Sequence, residues 1–144
     1  VATLNSLYGT NIFNIFAVAE HISHIKHIDE RLQNGDEKLV SEIAKSGLKN
    51  KNGKEIIFYS FASKFCSFHN SEKYAIYDSY VAKVLTHFKQ DFSQTFNQND
   101  LRDYGKFMEI LCAFQRHYKL SATLRDLDLY LWQLGKKHFS KQSK

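Results

Sequence analysis

Apolar residues along this chain recur three and four positions apart, the spacing of one helical face, rather than in the alternation of a half-buried strand. From Asn11 to about Ile28, the residues Ile12, Ile15, Ala19, Ile22 and Ile25 keep that rhythm and predict a first helix with an aliphatic inner face. The run NGDEKLVSEIAKSG then offers a turn at Asn34-Gly35, an N-cap at Asp36 and a stop at Gly47. These signals frame a short second helix with Leu39, Val40 and Ile43 inward. GLKNKNGK follows as a polar loop, and EIIFYS reads as a short extended entry to a third helix. Ser60 is placed to cap that helix, which carries Phe61, Phe65 and Phe68 on one side. Asp78 caps a fourth, Ser79 to about Lys89, with Val81, Val84, Leu85 and Phe88 inward. QDFSQTFNQND connects it to a fifth marked by Leu101, Tyr104, Met108, Leu111 and Tyr118. Ser121 caps the sixth, along Leu124, Leu127, Leu131 and Leu134.

The pattern thus predicts an all-α fold of about six helices in one domain over residues 1–144, with a basic C-terminal tail from about residue 136. No proline interrupts it, no Val/Ile/Thr alternation marks a hairpin, and no repeat of solenoid length is present. Composition agrees: 43% hydrophobic residues in a chain of 144, with 12 Phe and 8 Tyr, can fill a continuous core. Polar residues interrupt even the most apolar segment, Ile12 to Ile28, so no membrane span is expected. The start at Val1 shows neither an initiator Met nor the order of a signal peptide, as expected of a trimmed or processed product. Cys66 and Cys112 sit in apolar surroundings without metal spacing, which fits buried thiols in a reducing cytoplasm.

Charge is uneven. Residues 1–46 carry four Lys/Arg against six Asp/Glu, while 101–144 carry nine against four, within a formal net charge of +5. Lys136, Lys137, Lys141 and Lys144 crowd the C-terminal end, where cations complement a helix dipole and can also meet the phosphates of DNA or another nucleic acid. Such binding is expected to be weak and salt-dependent, and a protein partner is the alternative. His21, His24 and His27, three apart, drift around a helix and do not converge on one ion, so no metal and no cofactor is expected. Asp126 and Asp128 lie about 200° apart on a helix and make no carboxylate pair by themselves; Asp128 is placed to pair with a neighbouring helix.

The stretch FASKFCSFHNSEKYAIYDSYV carries a resemblance. Helix-hairpin-helix DNA glycosylases have a core segment of the form L-P-G-V-G-x-K-T-A, an apolar helix, then P-x-D-T-H-V opening another. Here Ser63-Lys64-Phe65 stands at x-K-T, and Ile76-Tyr77-Asp78-Ser79-Tyr80-Val81 stands where P-x-D-T-H-V ends. The resemblance, over about Phe58 to Leu85, implies a glycosylase-like helical core, with Lys64 as an amine nucleophile at a sugar carbon and Asp78 as its acidic partner. It also makes Tyr77, Tyr80 and Trp132 candidates to stack on an extruded base. The family's glycine-rich hairpin is replaced by FYSFA, and no glycine occurs between Gly53 and Gly105. More broadly, FYSFASKFCSFHN, YAIYDSYV and LDLYLWQLGK resemble a group of uncharacterised bacterial proteins of similar length, implying a free-standing protein of the bacterial cytoplasm. Two function classes follow: a reduced DNA glycosylase/lyase-like domain binding or acting on nucleic acid through Lys64 and Asp78, or a non-catalytic helical protein-interaction module.

Overall fold

Helical periodicity is realised throughout, but the chain cuts it more finely than the pattern predicts. The computed structural model describes residues 1–8, 12, 14–92 and 95–140. Among these, eight α-helices form: α1 (Ala2–Tyr8), α2 (Ile15–Ser23), α3 (Ile28–Asn34), α4 (Lys38–Ala44), α5 (Tyr59–His69), α6 (Ser79–Phe88), α7 (Tyr104–His117) and α8 (Leu124–Phe139), with a 3-10 turn at Asp100–Arg102. No strand forms among the described residues beyond an isolated antiparallel bridge between Lys49 and Glu55. The chain divides into two compact units, Val1–Tyr74 and Ala75–Lys144.

In the first unit, the single helix expected from Asn11 to about Ile28 is corrected; Asn11 itself lies outside the described residues. Helix α2 stops at Ser23 because two side chains compete for its backbone. The Ser23 hydroxyl (2.7 Å) and the His24 Nδ1–H (2.9 Å) both donate to the Glu20 carbonyl, the local bonding that draws a chain out of the helix. His27 then takes a left-handed φ of 55°, and α3 begins at the next residue. Helix α3 ends at Gly35, whose φ of 73° is the left-handed conformation that glycine adopts most cheaply at a helix C-terminus. The N-cap expected at Asp36 is corrected by one residue, because α4 is capped by Glu37 without a side-chain cap bond; Asp36 lies just before it, its Oδ1 accepting the Lys38 N–H at 3.0 Å, and Leu39, Val40 and Ile43 are buried as expected.

Helices α1 and α4 pack on α5. Helix α5 starts at Tyr59, so Ser60 is not its cap but lies inside the first turn. Phe61 and Phe65 face inward, whereas Phe68 is 64% exposed, against expectation. Every residue from Phe61 to Ser67 is buried, so the helix is enclosed on more than one face.

In the second unit, α6 packs against α8. A Cβ at Gly135 would lie 2.7 Å from the Tyr80 Cβ and 2.7 Å from its backbone oxygen, so only a glycine permits this approach. Val81, Val84 and Leu85 from α6 and Leu127 and Leu131 from α8 are buried. The cap of α8 is Thr123, not Ser121: its Oγ1 accepts the Asp126 N–H (3.1 Å) and donates to the Asp126 carboxylate (2.7 Å), a reciprocal arrangement like a capping box. Helix α7 is capped by Asp103, whose carboxylate accepts the Lys106 N–H. Tyr118 falls beyond its last turn and is 38% exposed. The connecting stretch before α7 is not merely polar, since Phe92 and Phe96 are buried and Phe92 meets Phe114 edge to face at 5.5 Å.

Candidate functional site

Lysines usually stay in water because an ammonium loses solvation on burial. Lys64 is buried. It occupies the second turn of α5 in the first unit and is 9% exposed, whereas the other described lysines are exposed or, for Lys89, half-buried. Cys66, two residues on, is fully buried, and burial pushes its thiol up to about 12. It is therefore no thiolate nucleophile at neutral pH. Cys112 is half-buried rather than buried.

Asp78, in the second unit, is the N-cap of α6, as its sequence position predicts. Its Oδ1 accepts the Tyr80 N–H at 2.8 Å. The extended residues before it are held from two helices. From α7, the Tyr104 hydroxyl donates to the Ala75 carbonyl at 2.8 Å. From α8, the Asp128 Oδ2 accepts the Ile76 N–H at 3.0 Å. Asp128 is only 3% exposed, and burial raises its carboxyl to about 6, although the Ile76 N–H and Arg125, whose Nη1 lies 3.5 Å from Oδ1, pull the other way. The pairing expected of Asp128 is thus made with the backbone that leads into α6. Sequence reasoning missed Tyr104 and Asp128 as positioning residues for Asp78. The available signal was a lone carboxylate on the leucine stripe of α8, beside Leu127 and three residues before Leu131.

Of the proposed stacking residues, Tyr77 meets Phe107 edge to face at 5.5 Å, and Tyr80 and Trp132 each lie under a lysine. Lys83 Nζ is 5.4 Å from the Tyr80 ring centroid and Lys136 Nζ is 4.7 Å from that of Trp132, both in cation–π range. Lys137 is exposed on the last turn of α8. Lys141 and Lys144 lie outside the described residues. The three histidines separate as their spacing implies: the His21 Nε2–H donates to the Glu42 carbonyl (2.8 Å), His24 bonds Glu20, and His27 stands 3.8 Å from Glu30. Among the described residues no cluster of three or more His, Cys, Asp or Glu side chains is arranged to hold a metal ion, and no helix is long and apolar enough to cross a membrane.

No solved structure matches the chain. A Haemophilus influenzae protein described as an uncharacterized protein is 49% identical over 138 residues, which is 95% of this chain. The chain spans 65% of that relative's length. The family HI_0787_N, described as an N-terminal domain, matches residues 1–73, and this match ends beside the boundary of the first unit at Tyr74. Since that stretch is just over half of the 144 residues, the chain belongs to the HI_0787_N family.

Proposed function

We propose that the chain is a glycosylase-like helical domain acting on nucleic acid, with Lys64 as the amine nucleophile and Asp78 as its acidic partner. The observation that carries this reading is the burial of Lys64. An amine attacks the sugar C1′ only when unprotonated, so this reading requires surroundings that disfavour the ammonium form, and burial is one general way in which a protein provides them. In that step the lysine nitrogen bonds C1′ as the bond to the base breaks, and the base leaves with the electron pair and takes up a proton. At an abasic site the same amine adds to the aldehyde carbon and loses water to give an imine. Asp78 supports the reading in a second way. Its cap bond engages Oδ1, and no other hydrogen bond reaches its carboxylate among the described residues, so an oxygen remains to accept a proton or face a developing positive charge. Lys136 and Lys137 would add weak phosphate contacts that fall steeply with salt.

Borohydride reduction of the imine tests this directly. Wild-type protein should become covalently linked to DNA containing an abasic site, Lys64→Ala should abolish the adduct, and Asp78→Asn should depress turnover with DNA binding retained. Failure of the wild-type protein to form any adduct would overturn the catalytic reading. The second reading, a non-catalytic helical interaction module, is favoured by the use of Asp78 as a cap and by the outward Leu129 and Tyr130 on α8. It predicts no adduct and a loss of about 0.5–2 kcal/mol for Asp78→Ala.

A further inference from the structure

A cavity of about 400 Å³ opens in the second unit between α6, the 3-10 turn and the end of α8, within the range of small-molecule sites. Its walls present two cations from different elements, Lys83 of α6 and Arg102 of the 3-10 turn. Among the described residues no Asp or Glu lines it. The acids nearest Arg102 in sequence are engaged elsewhere. Asp100 Oδ1 lies 2.7 Å from Lys106 Nζ and its Oδ2 accepts the Asn97 N–H, while Asp103 caps α7. Among the described residues neither Lys83 nor Arg102 forms an ion pair. The wall also includes Gln98 and Thr86, whose hydroxyl donates to the Ala82 carbonyl at 2.8 Å, and Tyr77 and Phe139 add aromatic rings.

We infer that this cavity binds a nucleoside phosphate, with Lys83 and Arg102 on the phosphate and the Tyr77 and Phe139 rings toward the base. The charge complementarity is one-sided, two cations with no carboxylate among the described lining residues, Lys83 having only the Tyr80 ring beside it, and Arg and Lys together match phosphate oxygens. Aromatic rings beside such a pair accept a base through stacking without fixing its identity. Phosphate is the shared chemistry of a free nucleotide and a nucleic-acid strand, and the two are separated by experiment. The inference stands apart from the Lys64 chemistry, because the cavity contains neither Lys64 nor Asp78.

The test uses the full 144-residue chain, uniformly labelled with 15N, titrated separately with inorganic phosphate, adenosine monophosphate and a short single-stranded oligonucleotide. Adenosine monophosphate should shift amides of α6 and of residues 98–102, and bind more tightly than inorganic phosphate. Oligonucleotide shifts at the same amides would assign the site to a strand; their absence, with the mononucleotide still bound, would assign it to a free nucleotide. The double variant Lys83→Ala/Arg102→Ala, both exposed positions, should weaken the mononucleotide by about tenfold or more, while Lys51→Ala in the first unit should not change it. No shift at millimolar nucleotide, equal affinity for inorganic phosphate, or full affinity in a folded double variant would overturn the inference. Lys64→Ala is expected to leave these shifts in place, so a failed trapping reaction and a failed titration report on different sites.

Discussion

The two units fasten the same kind of element, a non-helical segment leading into a helix, with opposite electrostatics. In the first, the turn between α3 and α4 is held by a cation. Arg31 Nε donates to Asp36 at 2.8 Å and its Nη1 to Glu42 at 2.6 Å, both partly in water. The Tyr74 hydroxyl spans the Arg31 and Asp36 carbonyls at 3.1 Å each. In the second, the segment before α6 is held by a buried anion, Asp128, and by the Tyr104 hydroxyl. A tyrosine bonding to a carbonyl is common to both. What differs is whether the carboxylate is half-exposed between short charged hydrogen bonds or buried with a backbone N–H and one longer pair to Arg125, and that difference sets opposite responses to acid.

The largest expected effect lies with Asp128. Folded, it keeps its proton up to about 6, against an ordinary value of 3.8. Between those values the folded chain binds more protons than the unfolded one, so stability rises as pH falls through 6 and levels off below 3.8. The gain is at most about 3 kcal/mol. Asp128→Asn, which keeps an acceptor for the Ile76 N–H without the charge, should lose this gain in denaturant melts between pH 4 and 7. Asp128→Ala should instead cost about 1–3 kcal/mol at pH 4, because a buried N–H is left without an acceptor. Equal pH profiles for wild type and Asp128→Asn would break the comparison.

A smaller contrast separates the tyrosines. Tyr74→Phe removes a hydroxyl shared between the half-buried Arg31 and Asp36 carbonyls and should cost about 1–2 kcal/mol, and Tyr104→Phe, which removes the bond to the Ala75 carbonyl, about 0.5–1.5 kcal/mol. Both are read by thermal melts at neutral pH.

Smallest is the Arg31 cluster, since partly exposed ion pairs contribute under about 1 kcal/mol each. Its signature is the acid limb. Burial alone would raise the Asp36 carboxyl, but the Arg31 hydrogen bond and the Lys38 N–H outweigh it and hold it below 3.8. That stability is present above pH 3.8 and lost as pH falls below it. Arg31→Met should flatten the acid limb of the stability curve and leave the region between pH 4 and 6 unchanged.

Much of this was legible residue by residue where the cause is local. Asp78 sits where capping chemistry puts it, Gly35 falls in the turn that its Asn-Gly pair announces, and the buried apolar positions of α4, α6 and α8 follow from spacing alone. The break after Ser23 was not legible, because isoleucines at helical intervals continue through a point where Ser23 and His24 claim one carbonyl. Phe68 keeps the spacing of Phe61 and Phe65 yet faces outward, and periodicity alone cannot tell which face of an aromatic-rich helix the fold covers. At the candidate site, residue types and positions were readable, whereas the burial of Lys64 and the bond from Ile76 to Asp128 depend on tertiary packing. The lone carboxylate on the leucine stripe announced that Asp128 needs a partner, but not that the partner is the Ile76 N–H 52 residues away.

That same contact orders events in time. The segment that presents Asp78 is fixed by Tyr104, 29 residues from Ala75, and by Asp128, 52 residues from Ile76. Loop-closure entropy must be met before either bond forms. Helix α6 can nucleate from its own apolar stripe and cap, but its entry is aligned only once α7 and α8 have docked. In kinetic terms, Asp128→Asn should have a low φ-value, changing the unfolding rate and leaving the folding rate almost untouched. The segment that leads into α6 is then the last to take its final form and the first to let go.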